Sequence, residues 1–170
     1  GPLRLESGGG VMDANETVRA LAESGWPGLV PVAEGAFAFA NMWPVRVLRR
    51  IYGDPDLFTV TSPRGGQCLA FWADDIGVDE DHVFVVAPVD DEQIEALQDR
   101  KLSIRGALTA DPANVRVVIE HLTAGGRIAY STFRPTCGLP EDALPAPDAV
   151  LETYRQYLER VHPEMLKEQK

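Results

Sequence analysis

Between residues 45 and 133 the chain repeats one local design, and that repetition limits the folds open to it. Short apolar runs of strand length alternate with clusters of Gly, Pro and Asp. "VRVLRRIY" (45–52), "DLFTVTS" (56–62), "GQCLAFWA" (66–73), "HVFVVAPV" (82–89), "VRVVIEHLT" (115–123) and "RIAYSTF" (127–133) each read as a β-strand. Pro63-Arg64-Gly65-Gly66 and Ala124-Gly125-Gly126 are hairpin turns, and the glycines supply the positive φ that tight turns demand. Hairpins in succession favour antiparallel pairing, because a βαβ crossover needs a helix between parallel strands. The expected fold is α+β: an antiparallel meander sheet or small half-open barrel of about six strands, with N- and C-terminal helices.

Helical spacing appears at both ends. Val18, Leu21 and Ala22 form a stripe over residues 13–24, with Asp13 and Glu16 in capping-box positions. Leu151, Tyr154, Leu158 and Val161 form another over residues 148–163, from an Asp148 cap to Pro163. That second stripe either docks on the protein's own sheet or forms a homodimer with a second copy. A shorter helix over residues 90–100 is capped by Asp90 with Gln93, and residues 102–112 read as strand or irregular. Residues 29–44, punctuated by Gly and Pro, form a strand or lie over the core. Trp26 is placed as the anchor of the first helix, and Trp43 and Trp72 in the core or at its rim. "GPLRLESGGG" (1–10) reads as a protease scar and linker, residues 11–163 as one domain, and residues 164–170 as a frayed tail. At 170 residues the chain suits a single domain with a substantial core.

The formal charge of −10 argues against nucleic-acid binding, which needs clustered Lys and Arg. No apolar run approaches membrane-spanning length. The acids are also unevenly placed: residues 65–99 hold ten Asp and Glu and no Lys or Arg. Within that stretch Asp74, Asp75, Asp79, Glu80, Asp81, Asp90 and Asp91 are the candidate contacts for a protein partner of basic character. Cys68 and Cys137, without Cys-x-x-Cys spacing, suit a reducing cytoplasm. Cys68 reads as a core thiol.

Catalytic patterns are sparse. "RGGQ" and "AGGR" join strands and are not phosphate loops. The histidines, His82, His121 and His162, share no ligand spacing. "DEDH" (79–82) alternates between strand faces, so no metal and no cofactor is expected. Ser131 reads as an ordinary polar strand residue, with no nucleophile elbow around it. Asp54 and Asp56 flank Pro55 and read as turn-makers. The leading expectation is a non-catalytic protein-interaction or accessory module. One alternative is a small-molecule sensor with a pocket at Phe37, Phe39, Trp43, Trp72 and Arg105. Another is a hydrolase whose carboxylates assemble across strands, since such pairs leave no local signature.

The order "IYGDPDLFTV", "QCLAFWADD", "VFVVAPVDDEQIEALQDRKLSIRGAL", "LPEDALPAP" resembles an uncharacterised bacterial domain family of unknown function. That family shows a Tyr-Asp-x-Pro-x-Leu-Phe strand start and a Pro-Val-Ser strand-to-helix turn. This chain departs from it in the extra Gly53, in Asp90 for the Ser cap, and in Arg105 directly after Ile104. The resemblance implies a bacterial, cytoplasmic α+β domain and no catalytic residues.

Overall fold

The computed structural model describes residues 14–33 and 37–167. Seven strands form a single antiparallel sheet: β1 (Leu29–Pro31), β2 (Arg46–Ile51), β3 (Asp54–Thr61), β4 (Gln67–Ile76), β5 (Asp81–Pro88), β6 (Arg116–Leu122) and β7 (Ile128–Pro135). The spatial order is β1-β7-β6-β5-β4-β3-β2, so β2 to β7 run as a meander. The sheet is open, with β1 and β2 at its edges. β1 comes from the apolar passage after the first helix, and further along that passage Phe39 and Met42 pack on the sheet.

Side chains alternate between two faces, and both are buried. One face carries Leu57, Leu69, Phe71, Val83, Val85, Val117, Ile119 and Phe133. Against it pack Leu21 of α1 (Ala14–Glu23), Ile94 and Leu97 of α2 (Asp91–Gln98), and Ile104 and Leu108 of α3 (Ile104–Thr109). The other face carries Phe58, Val60, Cys68, Ala70, Phe84, Val86 and Val118, and is covered by Phe39 and Met42. Double coverage explains why β5 is a continuous apolar run rather than an alternating one.

The helices differ from the sequence reading in four places. Residues 104–109 are helical, started by Ser103, whose side chain accepts from the Gly106 N–H. On α1 the buried residues are Ala14, Thr17 and Leu21, and Ala22 is exposed; the Asp13 cap lies outside the described residues. The C-terminal helix α4 covers only Tyr154–Val161 and is capped by Thr153, with Gln156 completing the box. Asp148 does not start it, because the preceding stretch is held extended across α3. The Ile104 N–H donates to the Ala149 carbonyl, and Arg105 donates to the Pro145 carbonyl. Pro163 closes α4 and opens a short helix α5 (Pro163–Lys167), where a frayed tail was expected.

Candidate functional site

The β3–β4 ladder ends at Leu57↔Phe71, although β3 starts at Asp54 and β4 continues to Ile76. Beyond that pair the two strands separate, and a register shift between Trp72 and Asp74 bends β4 further along β5. A cleft of about 460 Å³ occupies the gap, within the size range of small-molecule sites. Asp54, Asp56, Asp74 and Asp75 line it with Trp72, and Ile51 and Tyr52 form its lip.

The lip is a two-residue hairpin loop in which Tyr52 and Gly53 have φ of 50° and 87°. Positive φ at both positions is the geometry of a type I′ turn, and it costs a tyrosine strain that an asparagine would largely avoid. The turn is therefore Tyr52-Gly53, and Asp54-Pro55-Asp56 is the first part of β3. Gly53, at positive φ, is what makes a two-residue connection possible. Tyr52 is 99% exposed, so its side chain stands free at the lip of the cleft.

Each carboxylate is held differently. Asp56 is buried, and Arg49 forks onto it with hydrogen bonds of 2.7–3.2 Å. Asp74 accepts from the Trp26 indole at 2.9 Å, and Trp26 is itself buried beside Leu21 in the helix-covered core. Asp75 accepts from the Trp72 indole at 2.8 Å and from His82 Nδ1 at 2.6 Å, and the two rings lie 4.4 Å apart. Asp54 is exposed. Among the described residues neither Asp54 nor Asp74 has an ion-pair partner, so the cleft keeps a negative field beside aromatic surface.

Of the acids singled out in the sequence, Asp74, Asp75, Asp79 and Glu80 share this end of the sheet, the last two in the β4–β5 turn. Asp81 opens β5 but faces the helix side. Asp90 and Asp91 lie past the far end of β5, roughly 25 Å away at strand rise. There Asp90 forms the α2 capping box, and Asp91 accepts from Gln67. The acidic run is thus divided between two ends of the sheet.

The five residues of the alternative pocket are not together either. Phe39 is buried on the face opposite the helices, where Trp72 also packs. Trp43 is 76% exposed. Arg105 lies on the helix side, bound to Glu141 and to the carbonyls of Glu141 and Pro145, so it clamps the proline-rich connection.

Two features escaped the sequence reading. Asp56 and Arg49 form a part-buried pair across β2 and β3, although local pattern marked Asp56 as a turn residue. His121 bridges Asp81 and Ser131: Nδ1 lies 3.2 Å from the Asp81 carboxylate and Nε2 3.0 Å from the Ser131 hydroxyl. Register alone brings these three strands side by side, forty residues separating Asp81 from His121. The order resembles a hydrolase relay, but His121 and Ser131 are each only 7% exposed. Their hydrogen bonds satisfy buried polar groups at the edge of the core.

A longer groove of about 660 Å³ runs along α4, lined by Arg49, Arg100, Glu152 and Arg160 among others. Within it Arg160 hydrogen-bonds Glu152 at 2.7 Å and, more than any other neighbour, holds that carboxyl below its usual range. Among the described residues no three His, Cys, Asp or Glu converge to hold a metal, and no helix is long and apolar enough to cross a membrane. No family model matches the chain, and no curated protein or solved structure matches it.

Proposed function

We propose that the protein is a non-catalytic interaction module whose acidic sheet end receives a basic segment of a partner protein. The observation that carries this reading is the separated β3–β4 cleft, with exposed Asp54 and part-exposed Asp74 beside the faces of Trp72 and Tyr52. A lysine or arginine side chain there meets carboxylates and aromatic faces together, a combination that favours cations. Asp79 and Glu80 in the neighbouring turn extend the same field. The setting is read as bacterial and cytoplasmic, in line with the family resemblance and the two free thiols.

The cleft supports acid–base hydrolysis less well. A general acid needs a carboxyl shielded from cations, and the one buried acid, Asp56, is forked by Arg49. A small cationic ligand is the second reading, favoured by the cleft volume of about 460 Å³.

Immobilised protein is expected to retain a basic protein from host extract, and the double variant Asp54→Lys/Asp79→Lys to release it. A Lys/Arg-rich peptide should bind with an affinity that falls about tenfold or more in that variant and weakens with salt. Retention indifferent to both charge reversal and salt would sink the proposal. Saturable binding of a small amine with no effect of the peptide would favour the second reading.

A further inference from the structure

At the opposite end of the sheet the charge pattern inverts. Arg116 opens β6 and Arg134 lies near the end of β7. The pairing of Val117 with Phe133 places them directly across from each other one step further along the ladder. Cross-strand neighbours have Cβ atoms about 5 Å apart, and like charges at that spacing repel. A third guanidinium joins them from the β3–β4 turn. Arg64 lies over the Phe37 ring with 3.2 Å to its centroid, and Arg116 lies 5.8 Å from the same centroid.

No carboxylate compensates the three among the described residues. At this end Asp90 is committed to its capping box and Asp91 to Gln67. Arg116 is fixed by bonds from Nη1 to the Val115 and Ala113 carbonyls, and its Nε is buried without any acceptor. Burial, and then the fields of Arg134 and Arg64, make the Arg116 guanidinium less basic than usual. The chain has a net charge of −10, yet among the described residues no ion pair is formed by Arg64 or Arg116 at the Phe37 ring or by Arg134 across from Arg116.

We infer that Arg64, Arg116 and Arg134 form a binding site for a small, multiply charged oxyanion of the phosphate class. Guanidinium forks match the tetrahedral oxygens of phosphate and deliver several charge-assisted hydrogen bonds to one group. An anion between Arg116 and Arg134 turns their repulsion into shared attraction. Phe37 holds Arg64 and Arg116 over a common surface, so less side-chain freedom is lost on binding.

The test is calorimetric titration with pyrophosphate in phosphate-free buffer, with chloride matching the ionic strength and citrate as a carboxylate control. Saturable pyrophosphate binding is expected, with a rise in melting temperature and about tenfold weaker affinity in Arg64→Ala and in Arg134→Ala. Without anion, Arg134→Ala should leave the melting temperature unchanged or raise it, since a repulsion is removed. Asp54→Lys/Asp79→Lys should bind pyrophosphate as the parent does, which separates this site from the acidic cleft. Undetectable pyrophosphate binding, equal binding in the Arg64→Ala/Arg134→Ala double variant, or tighter binding of citrate would overturn the assignment. So would a lower melting temperature for Arg134→Ala in the absence of anion.

Discussion

The hydroxyl of Tyr130 on β7 donates to Glu120 on β6 at 2.9 Å, beside the core face covered by Phe39 and Met42. Burial first, and then the charge of Glu120, push the phenol up to about 12 from its usual 10. In the unfolded chain Tyr130 loses its proton near 10, whereas the folded protein keeps it until about 12. The folded state therefore binds more protons across this window, and stability falls as pH rises through it. The contribution is fully present below about 10 and is gone once the folded phenol ionises. Ultraviolet titration of the phenolate should show one late-ionising tyrosine, and Glu120→Gln should bring its midpoint down without abolishing the elevation due to burial. A normal midpoint for every tyrosine would contradict this geometry. Asp56 shows the same dependence on neighbours: beside Pro55 it looks like a turn residue, and only the arrival of Arg49 on β2 makes it a buried partner.

At the scale of elements, local signals read well wherever the interaction that decides them is local. The α2 box of Asp90 and Gln93 forms as the spacing implies, because donor and acceptor lie three residues apart. The sequence reading started the C-terminal helix at Asp148, and tertiary contacts move its start to Thr153. The tie from Ile104 to Ala149 and the docking of Leu151 on the core keep residues 149–152 extended, leaving Thr153 as the cap. Thr153→Ala should cost about 1 kcal/mol of stability in urea denaturation, with loss of helical signal. Asp148→Ala should change stability by less than about 0.5 kcal/mol, as an exposed residue outside the helix. Equal effects would mean that the helix starts earlier. Residues 104–109 follow the same logic: Ile104 and Leu108 repeat at helical spacing, but six residues are too few to separate a helix from a strand by period.

Over the whole molecule, an open sheet has two edges that invite pairing with another chain. β1 is three residues long and ends in Pro31, which has no N–H to offer. β2 is longer, and Arg46, Arg49 and Arg50 place charge along it. The exposed Arg46 and Arg50 guard that edge, so Arg46→Val/Arg50→Val should promote concentration-dependent association in sedimentation velocity, with the fold retained by circular dichroism. A variant that stays as dispersed as the parent would remove this role from the arginines. The same open architecture gathers Asp54, Asp74, Asp75, Asp79 and Glu80 at one end of the strands and Arg64, Arg116 and Arg134 at the other, so that one sheet offers two oppositely charged surfaces.

By itself the sequence determined the antiparallel class, the strand order of the meander, the α2 cap and the burial of Phe58, Leu69 and Phe71. Each rests on periodicity or on contacts between residues close in the chain. The tertiary structure alone decided that β3 and β4 separate beyond Leu57 and Phe71, that Trp26 reaches Asp74, and that His121 joins Asp81 to Ser131. It also divided one acidic run between two ends of the sheet, brought Arg64 and Arg116 to Phe37, and set Arg134 across from Arg116. Charge carries no period and acts through space, so a list of acids and bases acquires direction only when strand register assigns each one a face and an end.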